Sequence, residues 1–185
     1  NFSGFNPQMI VPVDLSTSQS YMQTKHIESH PKKISNFLTH VNLWKHALSN
    51  KSSYTYIFED DIELPIINTQ KLHRELDAIE MIRPRIIHLG GCAEHIGPLV
   101  RASWIRCAAL CSHAYAVRSD EAQELLEKML EAAKRQNSSY YKTSWDVVMR
   151  GYYVHIEKNK KEWPVCAKPY IYVQNRSRFK SQLDR

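Results

Sequence analysis

The chain predicts a single α/β domain, and three observations predict it. Two amphipathic helical segments each run into a short apolar strand, residues 34–49 into 54–58 and residues from 69 into 85–89, and helix-then-strand alternation is how a sheet layered with helices is built. A length of 185 residues suits one sizeable core, with no linker composition anywhere, so residues 1–185 are expected to form one domain. The composition, 43% hydrophobic and 24% charged, is that of an ordinary globular protein.

Each element follows from its local pattern. NFSGFNPQMIVPVDL reads as the end of a βα unit running into a short strand, not as a natural start. Ile34, Phe37, Leu38, Val41, Trp44, Ala47 and Leu48 recur at spacings of three and four, one apolar stripe on a helix that the polar run Ser49–Ser53 breaks. Tyr54–Phe58 is aromatic and β-branched and too short for a helix, so it reads as a buried strand. Asn68 or Thr69 caps a second helix bearing Leu72, Leu76, Ile79 and Ile82, which must end before Pro84. Arg85–Leu89 is the next strand, stopped by Gly90 and Gly91. Residues 92–112 read as irregular and Cys111–Arg118 as a third strand. Ser119 then caps a helix carrying Ala122, Leu125, Leu126, Met129, Leu130 and Ala133, which ends near residues 136–139. A short helix at 144–150, a strand at 152–156, a Pro-containing strand at 165–173 and a basic tail complete the chain.

Several classes fall away. No apolar run approaches the roughly 20 residues that cross a bilayer. The net charge of +6 fits either an anionic partner or a solvated surface, and the positive residues are spread out, with local excess at Lys32–Lys33, at Lys158, Lys160 and Lys161, and in the tail. A pI near 9.1 and 10 tyrosines would suit nucleic acid, but no recognisable motif accompanies them and an acidic triplet repels phosphate, so no nucleic-acid partner is expected. The four cysteines show no CxxC pairing and the nine histidines no zinc spacing; free buried thiols are expected, with two disulfides as the alternative. Asn-x-Ser sequons stand at Asn1, Asn50, Asn137 and Asn175. The first 20 residues lack the basic start and apolar block of a leader. The compartment stays open, with cytoplasm favoured and the secretory pathway as the alternative.

The chemistry concentrates in YTYIFEDDIEL, where the strand ends in Glu59, Asp60 and Asp61. Ligands of open α/β sheets collect at the carboxyl ends of strands. Adjacent carboxylates repel unless a proton or cation compensates, and a hard divalent ion takes one or two of them and fills its remaining positions with water and phosphate oxygens. Strand alternation would send Glu59 and Asp61 to one side and Asp60 to the other. A charged turn capping the strand and pairing with Lys or Arg is the competing explanation.

The stretch ISNFLTHVNLWKHALSNKSSYTYIFEDDIEL resembles the signature of glycosyltransferase family 25, the bacterial lipooligosaccharide and collagen galactosyltransferases. Phe37-Leu38-Thr39-His40, Trp44 and Glu59-Asp60-Asp61 match its F/Y-L-S-H block, its Trp and its E-D-D strand end, with Thr for Ser. Ile86–Gly90, Ser112–Ser119 with Ala122, Leu125 and Leu126, Trp145-Asp146-Val147-Val148, and Pro169–Gln174 resemble further family segments in order, over about residues 34–182. The family's opening strand and loop of the form φ-I-N-L-x-x-R is not seen before Gly4-Phe5.

The resemblance implies a GT-A-like fold, a mixed but mostly parallel nucleotide-binding sheet flanked by helices. It implies inverting transfer of a sugar, galactose favoured, from a UDP-sugar to a hydroxyl of a glycan, glycolipid or glycoprotein, with Mn²⁺ or Mg²⁺. Glu59 and Asp61 would hold the metal, and His88, Gly90, Gly91, Asp60 and Arg176 would bind the donor, with Arg178 and Lys180 beside them. Inversion needs a base for the acceptor proton, and Asp146, at a helix start, is the candidate; its alternative is a carboxylate facing the helix dipole. His40 is expected to be a packed histidine bonding a loop carbonyl, with a ligand role as the alternative, and Trp44 core. Gly90 and Gly91 would let a ligand approach or make a tight turn. The alternative function is a catalytically inactive transferase-like binding or assembly module.

Overall fold

The computed structural model describes residues 10–25, 31–49, 51–63, 68–92, 94–135 and 144–174. Helices α1 (Leu15–Lys25) and α2 (Pro31–Ala47) lead into strand β1 (Tyr54–Phe58) and the two-residue β2 (Ile62–Glu63). Then come α3 (Thr69–Glu80), β3 (Ile86–Gly90), β4 (Glu94–Arg101), β5 (Trp104–Ala109) and β6 (Ala114–Arg118). A 3-10 turn at Ser119–Glu121 opens α4 (Ala122–Arg135); α5 (Trp145–Gly151), β7 (Val165–Ala167) and β8 (Val173–Gln174) follow.

The expected helix and strand over 34–58 form, except that the helix ends at Ala47 and Leu48, read into its stripe, is exposed. Pro31 takes the first helical position of α2, where its missing N–H costs nothing, and Ile34, Phe37, Val41, Trp44 and Ala47 are buried along one stripe. Asn68 caps α3 by accepting from Lys71 N at 3.2 Å. Helix α1 carries no apolar stripe, and its start is set by Asp14, whose carboxylate accepts from Thr17 N and Thr17 Oγ1, each at 2.8 Å. Hydrogen bonds from Ser16 and Thr17 hold that carboxyl well below the usual range. Asp14→Ala is expected to fray α1, read as faster amide hydrogen exchange at residues 16–18 with α2 unchanged.

The six-stranded sheet has the order β1-β6-β3-β7-β5-β4, with β2 and β8 pairing separately. The fold is α/β, but the sheet is not mostly parallel: of its neighbouring pairs only β3–β7 is parallel. Strands β1 and β3 do run the same way, as alternating helices and strands predict, yet β6 returns between them and is antiparallel to both. Strands β4 and β5 are joined by the two-residue turn Ala102–Ser103, which permits only an antiparallel pair.

That hairpin replaces the irregular 92–112 of the sequence reading. The disguise is Gly97-Pro98 and two register shifts in β4, which break its alternation. The expected strand at 152–156 is instead a π-helical turn continuing α5, with Glu157 N bonded to Tyr152 O at 2.9 Å. Its β-prone Tyr-Tyr-Val-His-Ile is overridden because winding on buries Tyr152 and Tyr153 beneath the sheet. The expected strand 165–173 is β7, a turn and β8.

Side-chain alternation gives the sheet two cores. Ile57, Ile86, Tyr115 and Val117 face α2, α4 and α5; Ile87, Leu89, Ala114, Ala116 and Val165 face Ile79 of α3 and Trp104. The cysteines are not free thiols: Cys92 pairs with Cys111 and Cys107 with Cys166. Spacing alone hid this, because the partners meet only once β5 lies between β4 and β7. Among the described residues no helix is long and apolar enough to cross a membrane.

Candidate functional site

Strands β1, β3 and β7 point their carboxyl ends to the same edge of the sheet, where the antiparallel β6 begins. Glu59 N donates to His113 O at 2.9 Å, tying the end of β1 to the residue before β6. The strand stops at Phe58, so the expected alternation lapses: Asp60 and Asp61 form a turn, and β2 beyond them is held by β8. Tyr172, next to β8, packs edge-on against Phe58 with ring centroids 5.2 Å apart. The acidic turn is thus fixed on both sides.

Glu59 continues the register of Ile57 and so faces α2. Its Oε1 lies 3.3 Å from His40 Nε2 and accepts from Asn36 Nδ2 at 3.4 Å. His40 and Asn36 sit four residues apart on one face of α2, so they reach the same oxygen. Asn36 Oδ1 in turn accepts from Trp145 N at 3.4 Å, linking Glu59 to the start of α5. Burial pushes the Glu59 carboxyl up, but the His40 hydrogen bond, the electrostatic pull of the His40 and His113 rings and the Asn36 bond together outweigh it and hold the group below its ordinary value. A depressed carboxyl stabilises the fold above the ordinary glutamate range, and that stabilisation is lost as pH falls through the lowered value. Glu59→Gln is expected to flatten the acid limb of a stability-versus-pH curve and leave its neutral plateau slope unchanged.

Asp60 is exposed and, among the described residues, makes no ion pair with Lys or Arg. Asp61 is half-buried beside it. Among the described residues, then, no Lys or Arg clamps Glu59 or Asp60.

Asp146 lies in the first turn of α5, with its carboxylate already engaged. Oδ2 accepts from Cys111 N at 2.9 Å, and Oδ1 accepts from Val147 N at 3.0 Å and from Ser144 Oγ. Cys111 needs that anchor: its φ is 59°, a left-handed conformation unusual for a side chain with a Cβ. The Cys92 disulfide and a tight turn, His113 N to Cys111 O at 2.8 Å, hold it as well. Ser112 and His113 are buried on this turn, and His113 Nε2 lies 3.3 Å from Tyr172 O.

His88 is buried in β3, its ring 6.1 Å from that of Tyr115. At Gly90 a Cβ would stand 2.4 Å from His113 Nε2 and 2.8 Å from Tyr172 O; at Gly91 it would meet the Tyr170 ring at 2.8 Å. The space each glycine leaves is thus filled by the chain itself. Gly90→Ala is expected to destabilise by about 1–3 kcal/mol, the usual cost of overpacking, measured by denaturant unfolding; an unchanged midpoint would mean that His113 sits elsewhere. Arg176, Arg178, Lys180 and the four sequon asparagines lie outside the described residues.

The structure therefore brings Glu59, Asp60, Asp61, Gly90, Gly91 and Asp146 to one edge, with His88 one layer inside. Sequence reasoning missed Asn36 and His113 as site residues and read Tyr115 only as strand. The available signal was Asn36, four residues before His40 on a helix aimed at the end of β1.

Among the described residues no three His, Cys, Asp or Glu side chains converge as a closed metal cage. A hard divalent ion completed by phosphate and water needs only one or two carboxylates. The donor set fits that demand: Asp60 is open to solvent, Asp61 adjoins it, and both bonds to Glu59 fall on Oε1. No protein-family model matches the chain, and no curated protein matches it either.

Proposed function

We propose that the chain is a metal-dependent glycosyltransferase of the family 25 type, moving a sugar, galactose favoured, from a UDP-sugar to an acceptor hydroxyl with inversion. The supporting observation is the acidic turn, placed where three strands end and, among the described residues, without a Lys or Arg paired to Glu59 or Asp60. Glu59 and Asp61 would hold Mn²⁺ or Mg²⁺, with Asp60 at the solvent side. The ion would supply neutralising charge for the diphosphate leaving group.

In the transfer, the acceptor oxygen bonds to the anomeric carbon as the carbon–diphosphate bond breaks, and the acceptor proton passes to a carboxylate. Asp146 is the proposed recipient. Among the described residues Ser144 Oγ is its one side-chain donor, and the acceptor hydroxyl would take that place while the bonds from Cys111 N and Val147 N keep the carboxylate oriented.

Calorimetry is expected to give micromolar-to-millimolar UDP binding that requires Mn²⁺ and is lost in Asp61→Ala. Metal-independent or absent binding would count against the proposal. A second reading, a catalytically silent transferase-like binding module, draws on the full engagement of Asp146. It predicts metal-dependent UDP binding without hydrolysis of any nucleotide sugar in a screen, whereas the enzyme hydrolyses at least one.

A further inference from the structure

We infer that His40 is the positioning residue of the acidic turn, the last member of a buried hydrogen-bond relay from Trp44 through Tyr115 that fixes the Glu59 carboxylate to receive a divalent cation. The inference rests on the reading of the turn as a metal and diphosphate site, and it adds residues that never touch the ligand.

The direction of the hydrogens in the relay follows from its two ends, an indole that can only donate and a carboxylate that can only accept. An indole N–H can only donate, and Trp44 Nε1 donates to Tyr115 Oη at 2.9 Å. The phenol has one proton of its own, and His40 Nδ1 lies 2.9 Å away to accept it. Burial pushes the Tyr115 hydroxyl above its ordinary range, although the Trp44 and Trp145 indoles pull the other way, so it keeps that proton. An imidazole accepting at Nδ1 carries its hydrogen on Nε2, and Nε2 faces Glu59 Oε1 at 3.3 Å. The opposite tautomer would turn a lone pair toward the carboxylate and leave Tyr115 facing donors with, among the described residues, no acceptor, a costly arrangement in a buried site.

The packing leaves the ring little freedom. His40 is stacked on Trp145 with planes 8° apart and centroids 6.2 Å apart, and Trp44 meets Trp145 edge-on at 5.0 Å. His40, Trp44, Tyr115 and Trp145 are all buried. Helix α2 supplies His40 and Trp44 at i and i+4 on its core face, and β6 supplies Tyr115 on the matching face of the sheet. Such outer partners orient metal-binding side chains and typically carry about 10–100-fold of metal affinity.

Two measurements on the full chain decide it. Long-range proton–nitrogen NMR of the neutral imidazole is expected to find the His40 hydrogen on Nε2 with Nδ1 a bare acceptor, and Tyr115→Phe is expected to shift Nδ1 or mix the tautomers. An Nδ1–H tautomer in the unmodified chain overturns the relay, as does a His40 signal indifferent to Tyr115→Phe. In calorimetry with Mn²⁺ and UDP, His40→Ala is expected to weaken binding about 10–100-fold. His40→Gln, whose amide N–H can stand where Nε2–H stands, recovers most of that loss. Equal binding by the unmodified chain and His40→Ala overturns the positioning role and leaves the site intact. An unmodified chain that binds no Mn²⁺ and UDP overturns the site, and with it the purpose assigned to the relay, whatever the tautomer.

Discussion

Trp145→Ala is expected to lower the unfolding free energy by about 3–5 kcal/mol, the usual range for emptying a buried Trp site. The indole is 0% exposed and packs against Trp44, His40 and Phe37. It joins the short helix α5 to α2, so little backbone is free to collapse into the vacated volume. Domains of ordinary size have about 5–15 kcal/mol of stability in all, so the variant should lose a large part of its margin, roughly 10 °C in Tm for a chain of this length. Urea and thermal unfolding read the effect. A shift of only a degree or two would mean that α5 is not docked on α2, and the linkage from Asn36 through Trp145 to Asp146 would go with it.

Full reduction of the disulfides is expected to have a comparable effect. Cys107 and Cys166 close a loop with a sequence separation of 59, for which the loss of unfolded-chain entropy corresponds to about 4 kcal/mol. Both cysteines are 0% exposed, between β5 and β7. Cys92 by contrast is exposed, and its bridge to Cys111 has a separation of only 19, worth about 3 kcal/mol on the same basis. Under mild reductant the Cys92–Cys111 bridge should open first, while Cys107–Cys166 survives until the sheet opens. Thiol trapping and peptide mass spectrometry order the two events, and thermal scans give the loss. Four reactive thiols in the native, unreduced protein would refute both the pairing and the predicted stability. Paired cysteines are maintained in oxidising surroundings.

The parts legible in the sequence are those written in near neighbours. The stripe from Ile34 to Ala47, the aromatic run Tyr54–Phe58 and the Asn68 cap each depend on residues a few positions apart, and each forms as read. Asp14, by the same logic, caps α1 and was readable, but the helix behind it has no apolar face to draw attention to it. The topology was less accessible. Nothing local says that β6 returns between β1 and β3, or that Gly97 and Pro98 belong inside a strand. Tyr152–Ile156 has the composition of a strand, and only its packing under the sheet winds it into a helical turn.

The candidate site divides in the same way. Glu59, Asp60, Asp61 and Asp146 stood out as carboxylates at element ends. Their supporting residues did not, because Tyr115 meets His40 and Trp44 across 75 and 71 positions and Asn36 meets Trp145 across 109. A histidine on an apolar helix face looks like packing until the strand that completes its hydrogen bonds is in place.

The outer strand β4 has a bearing on solubility. It presents Ile96 and Leu99 to solvent, 61% and 70% exposed, along a border of the sheet that has no further neighbour among the described strands. Such a border is a ready template for another chain. Pro98 offers no N–H there, and the irregular pairing around Gly97 interrupts the straight ladder that stacking would require. Both features work against fibril growth from a flank that carries oily side chains.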